Sequence, residues 1–143
     1  MIDKFSGDNA FLSNFHPSPI MYEGIEFPTV EHAFQAAKTT DIGQRQAIAA
    51  LDTPGKAKRA GRKVNLRNNW ESIKIGIMTD LVATKFETHN DLLDKLAATG
   101  DQELVEGNNW NDTFWGVCRG KGRNELGKIL MRVRSCIEED EVA

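Results

Sequence analysis

The chain has 143 residues, of which 40% are hydrophobic and 27% charged, with a net charge of −3 and two cysteines. That length closes one hydrophobic core and is too short for two well-packed ones, so a single domain over residues 1–143 is expected. No apolar run reaches the roughly 18 residues of a membrane span, and Met1-Ile2-Asp3-Lys4-Phe5 lacks the basic start of a secretory signal, so a soluble, cytoplasmic protein with no membrane partner is expected.

The segment up to Phe27 is rich in Pro, Gly, Asn and Ser, and Ile20-Met21-Tyr22 and Ile25-Glu26-Phe27 flanking Glu23-Gly24 predict a hairpin. Pro28-Thr29 supplies a breaker and an N-cap before the stripe Val30, Ala33, Phe34 and Ala37, which predicts a helix to about Thr40. Shorter helices are expected over 42–51 and 54–62. Between Gly55 and Arg67 the basic residues Lys56, Lys58, Arg59, Arg62, Lys63 and Arg67 occur without an acid, which suits a solvated helix face or a phosphate-facing surface.

Trp70, Ile73, Ile77 and Leu81 keep the helical period and predict a core helix over 69–86. A short helix over 91–98 is expected to end at Gly100, followed by a brief strand at Glu103-Leu104-Val105-Glu106. Asn124 is expected to cap a final helix carrying Leu126, Ile129, Leu130, Val133 and Ile137, with the acidic tail beyond it fraying into solvent. The fold class is α+β: a mostly helical domain with a small β element.

Four places carry candidate chemistry. On the first helix, Glu31, Gln35 and Lys38 are spaced i, i+4 and i+7 along a polar face that a ligand could bridge, although a helix-end acid and a surface lysine would look the same. The segment 108–116 holds Trp110, Asp112 and Trp115 and suits stacking of a planar base beside a carboxylate, or plain coverage of the core. Gly116 to Asn124 places Arg119, Lys121 and Arg123 among glycines before a helix start, as a phosphate cradle or a flexible basic turn would. Lys85 lies beside an apolar face, as a snorkelling lysine or a partly desolvated functional amine. Cys118 and Cys136 lack paired spacing, and His16, His32 and His89 lack companions at ligand spacing, so reduced thiols and no metal site are expected.

Five separated blocks occur in order: Phe11-Leu12-Ser13-Asn14-Phe15; Thr29-Val30-Glu31-His32-Ala33-Phe34-Gln35-Ala36-Ala37-Lys38; Trp70 followed by Met78 and Lys85-Phe86; Asp112-Thr113-Phe114-Trp115-Gly116; and Gly122 to Met131. From Phe5 to Arg134 the chain resembles the NADAR (YbiA-like) family. The resemblance implies a YbiA-like fold and N-glycosidase chemistry without a cofactor, on phosphorylated ribosylamino intermediates of riboflavin synthesis or on ADP-ribose linked to guanine. The small-molecule partner would then be a phosphorylated ribosyl or ADP-ribosyl compound, with ADP-ribosylated nucleic acid as a further candidate. The resemblance puts functional roles on Glu31, Trp70 and Asp112, with Lys38, Asn14 and Trp115 as further site members. Phe15, Gln35, Lys85, Gly116 and Asn124 lie in the matched blocks and are taken as substrate contacts. A module that binds such a nucleotide without cleaving it is the alternative, and would have no need of Glu31.

Overall fold

In the computed structural model, which describes residues 1–142, the chain falls into two compact units: Asn14–Thr88, and Met1–Ser13 together with the chain from His89 onward. The first unit opens with an antiparallel hairpin of β1 (Ile20–Tyr22) and β2 (Ile25–Phe27), in which Ile20 faces Phe27. Its turn residues Glu23 and Gly24 both take positive φ, 46° and 85°, the pair of values that matches the twist of a two-residue hairpin. Arg45 is buried against this hairpin: Nη1 meets Glu23 Oε1 at 3.2 Å, and the guanidinium lies 5.3 Å from the centre of the Tyr22 ring.

Next come α1 (Val30–Ala36), α2 (Ile42–Ala49), α3 (Pro54–Ala60) and α4 (Trp70–Thr88). Thr29, Asp41 and Thr53 each cap a helix by accepting a backbone N–H three residues on, as their residue types favour. Thr29 also meets Nδ1 of His32 at 2.8 Å, while Nε2 of that ring donates to the Leu51 carbonyl at 2.9 Å. Both ring nitrogens of His32 are thereby held in place, and burial lowers its pKa from the ordinary 6.5.

α1 stops four residues short of the expected end. Arg67 supplies the reason, because its backbone N–H donates to the Lys38 carbonyl at 2.8 Å and its Nη1 to the Ala37 carbonyl at 3.4 Å. Those two acceptors are therefore satisfied without another helical turn. Every residue of α1 is buried, which removes the solvent-facing polar side that its charge spacing suggested.

The second unit contains a 3₁₀ turn at Gly7–Leu12, α5 (Asn90–Ala98), the two-residue strands β3 (Gly107–Asn108) and β4 (Val117–Cys118), and α6 (Glu125–Val142). Phe11, Leu12, Leu92, Leu96, Leu104, Leu126, Ile129 and Leu130 form its core. The strand expected at 103–106 is reduced to a parallel bridge between Ile2 and Leu104, and the ladder proper lies downstream, where β3 and β4 pair in parallel. Gly107 permits this close packing, since a side chain there would overlap the Asp3 carbonyl. The acidic side chains from Glu138 onward, expected to fray, lie outside the described residues. Among the described residues no helix is long and apolar enough to cross a membrane.

Asn124 does not cap α6 as expected. At a φ of +53° its side chain lies against Gly127 in the first turn of α6, and the amide donates to the Leu104 carbonyl at 2.9 Å and accepts from the Glu106 N–H at 3.0 Å instead of serving a helix N–H. Asn is among the few residue types that tolerate this backbone. Asn124→Ala should therefore cost about 2–4 kcal/mol in urea denaturation, from two lost hydrogen bonds, two stranded partners and an unfavourable φ. Asn124→Gly, which keeps the backbone at ease, should cost less than Asn124→Ala.

Candidate active site

The first unit gathers Asn14, Glu31, Gln35, Lys38 and Trp70 around α1. The Asn14 carbonyl accepts the Glu31 N–H at 3.1 Å, and Asn14 Nδ2 donates to Met78 Sδ at 3.4 Å, which ties the entering loop to both α1 and α4. Glu31 is 7% exposed, and its carboxylate accepts at Oε1 from Gln35 Nε2 at 2.8 Å. A carboxylate this buried requires such a donor, so Glu31 is no ordinary helix-end acid. Trp70 packs on Phe34 with ring centres 5.1 Å apart and is 6% exposed. It meets α1 through that tilted ring contact, with 52° between the planes. Phe15 is an exposed side chain at the start of this unit.

Lys38 lies beyond the end of α1 rather than on its helical face. Desolvation pushes its pKa below the usual lysine range; Glu31 opposes that shift, while Arg62, Lys58 and Lys74 add to it. The amine therefore sits in a positive field with one nearby carboxylate. Part of the acid-free basic stretch thus acts on Lys38 and is not merely a solvated face. Lys85 is more deeply placed, 1% exposed on α4, with its Nζ 5.2 Å from the centre of the Phe86 ring. It does not snorkel, and desolvation takes its pKa from 10.5 to about 7.

The second unit holds the aromatic and glycine-rich segments. Asp112 Oδ1 accepts the backbone N–H groups of Phe114 at 3.1 Å and Trp115 at 2.9 Å. Asn108, which opens the segment but is not among the expected site residues, is the hub of this loop. Its Oδ1 accepts from the Trp110 and Asp112 amides at 3.2 and 3.1 Å, and its Nδ2 donates to the Asp112 carbonyl at 2.8 Å. Trp110 is exposed and Trp115 half-buried, the latter edge-on to Phe114 at 4.7 Å.

The expected phosphate cradle is corrected in its backbone half. Cys118 and Lys121 exchange backbone hydrogen bonds across a tight turn at Arg119 and Gly120, which takes up their amides. The N–H groups of Arg123, Asn124, Glu125 and Leu126 donate to the carbonyls of Thr113, Gly116, Phe114 and Trp115. These include the first amides of α6, so the helix start is closed by its own loop and has none of these donors left for an anion. Packing alone requires Gly116, because a side chain there would overlap Glu106. Arg123 lies over the Phe114 ring at 4.6 Å and pairs with Glu125 at 3.3 Å, and Arg119 donates to Asn111 Oδ1 at 3.1 Å. Lys121 is exposed. The Asn124 amide organises the loop by donating to the Leu104 carbonyl and accepting from the Glu106 N–H.

The model of the NADAR domain matches residues 3–138. The chain belongs to the NADAR family. A chain named N-glycosidase YbiA from Escherichia coli (strain K12) is 42% identical over 132 residues, covering 90% of this NADAR chain and 82% of the relative. The riboflavin biosynthesis protein VVA0006 of Vibrio vulnificus is 37% identical and covers 92% of this chain, which spans 36% of that longer protein. The NMR structure of the E. coli protein YbiA superposes with a TM-score of 0.86 at 38% identity, over 99% of this chain and 89% of that one. The α+β, mostly helical NADAR fold expected from the sequence is therefore the observed one.

The burial of Lys85 in this NADAR fold carries a pH dependence of known sign. The folded pKa near 7 lies below the ordinary 10.5, so between those values the unfolded chain binds a proton that the folded chain does not. Stability contributed this way is full above pH 10.5 and is lost as the pH falls to about 7, with no further change below. In chemical denaturation at several pH values, Lys85→Met should remove a slope of up to about 1.4 kcal/mol per pH unit across that window. An unchanged slope would show that the lysine remains charged when folded.

Proposed function

We propose that this chain is an N-glycosidase that hydrolyses the C–N bond between a phosphorylated ribose and a base. The observation that carries this reading is the pairing on and beside α1 of a buried carboxylate held by an amide, Glu31 and Gln35, with a desolvated amine, Lys38. The names of the relatives, N-glycosidase and riboflavin biosynthesis protein, support it. Riboflavin-pathway ribosylamino phosphates and guanine-linked ADP-ribose are the two candidate substrate types, and ADP-ribosylated nucleic acid extends the second.

Hydrolysis requires a proton for the departing base nitrogen, stabilisation of positive charge at C1, and removal of a proton from the attacking water. Glu31 and Asp112 are the carboxylates proposed for these transfers. Asp112 already spends Oδ1 on two backbone amides, so Oδ2 is its oxygen for proton transfer. The lowered pKa of Lys38 favours a second route. In it the neutral amine attacks C1, the C–N bond to the base breaks with the amine proton passing to the base, and the sugar ring opens to an imine. Water then hydrolyses that imine and regenerates the lysine.

The purified chain should release free base and ribose phosphate or ADP-ribose from one of the two substrate types, followed by chromatography. Glu31→Gln and Asp112→Asn should each lower kcat at least about 100-fold with KM nearly kept. Asp112→Asn is a clean test because the new amide oxygen can still accept both backbone N–H groups. Loss of activity in Lys38→Ala, together with a borohydride-trapped sugar adduct on the native chain and normal turnover by Glu31→Gln, would replace the two-carboxylate route with the lysine route. Binding without any product would favour a non-catalytic module.

The substrate phosphate is assigned to basic side chains, since the amides of Cys118, Lys121 and residues 123–126 are taken by carbonyls of the same loop. Two sets are available: Lys58, Arg62 and Lys74, which act on Lys38, and Arg119, Lys121 and Arg123. Neutralising Lys58 and Arg62 together should raise KM several-fold more than it lowers kcat. Neutralising Arg119 and Lys121 should have the smaller effect, and the reverse order of effects would return the phosphate to the glycine-rich turn. If a nucleic acid is the substrate, its turnover should also fall steeply with added salt.

A further inference from the structure

Gly61 follows α3 with φ −60° and ψ −20°, a right-handed helical conformation that any residue adopts and that alanine favours over glycine. The backbone therefore gives no reason for a glycine. The space does, because a Cβ at this position would overlap Oε1 of Gln35 and come within 2.8 Å of its Cδ. Gln35 is 5% exposed, and while its Nε2 donates to Glu31, its buried Oε1 has no hydrogen-bond partner among the described residues. An orphaned buried acceptor is unfavourable and rare in native proteins. Turning the amide over would be worse, since it would set a carbonyl oxygen against the carboxylate and leave Glu31 without this donor.

We propose that Gly61 is a positioning residue for Glu31: its missing side chain leaves the notch that receives the carbonyl end of Gln35, which holds the NH₂ end on the carboxylate. The chain of support runs from the end of α3, through one side chain, to the carboxylate on α1. It rests on the reading of Glu31 as catalytic. The sequence hides the device, because Gly61 falls near the end of the helix expected over 54–62, where a glycine is ordinary.

A double-mutant cycle tests it, with Gly61→Ala, Gln35→Ala, both together, and Glu31→Gln as reference, each measured for Tm, kcat and KM. In the native background Gly61→Ala should lower Tm and lower kcat about tenfold, with KM changing less than about twofold. Gln35→Ala should lower kcat by a similar factor. In the Gln35→Ala background the sign should reverse: adding Gly61→Ala should raise Tm or leave it unchanged, because the obstructing amide is gone and alanine is the better helix former, and kcat should fall no further.

Equal losses of Tm and kcat from Gly61→Ala in both backgrounds would overturn the proposal, as would native kcat in the single variant. Should the single variant be too unstable to assay, the Tm of the double variant against Gln35→Ala still decides. Full activity in Glu31→Gln would sink the catalytic reading of Glu31 and, with it, any role for Gly61 in catalysis. The Tm reversal would then stand only as evidence of the Gly61–Gln35 contact.

Discussion

A carboxylate placed in a helix that is buried along its whole length must be given a donor, and the first unit is arranged around that demand. Glu31 receives one from Gln35 a turn later on the same helix, and the backbone on either side of it is tied down. Thr29 caps the helix, the Asn14 carbonyl takes the Glu31 amide, and Arg67 closes the far end by serving the carbonyls of Ala37 and Lys38 just past it. Phe34 and Trp70 pack behind. The consequence is a side chain held by covalent spacing and packing together, which suits a group whose proposed task is to move a proton at a fixed point.

The same economy in the second unit produces a different outcome. The segment 108–126 satisfies its own polar groups: Asn108 and Asp112 side chains hold the loop, and the loop carbonyls in turn take the first amides of α6. A glycine-rich basic turn ahead of a helix looks like an anion site because helix starts ordinarily carry unused donors. Here the preceding loop uses them. With those helix-start amides taken, the arginine and lysine side chains are the charged groups left to attract phosphate in this unit, and two of them already have partners in Asn111 and Glu125.

The two lysines show how burial separates residues of one type. Both have lowered pKa values by desolvation, but Lys38 also feels a carboxylate and three cations, while Lys85 sits almost wholly enclosed on α4. A half-buried amine near a carboxylate can be reached by a substrate and can exchange protons. An enclosed one contributes chiefly to the balance between folded and unfolded chain.

Local sequence determined what depends on neighbours in the chain. The hairpin at Glu23-Gly24, the Thr29 cap and the helical stripes of α1, α4 and α6 follow from turn chemistry and from the helical period. The ordered blocks likewise carried the family and the set of candidate residues. Tertiary structure decided what depends on partners far along the chain. It ended α1 at Ala36 through Arg67, turned Asn124 from a helix cap into a tether for Leu104 and Glu106, and closed the start of α6 with carbonyls from 113–116. It also made Gly61 a spatial requirement of Gln35, twenty-six positions earlier. Hydrogen-bond donors, acceptors and a missing Cβ have no periodicity, so their use is set only when packing brings the partners together.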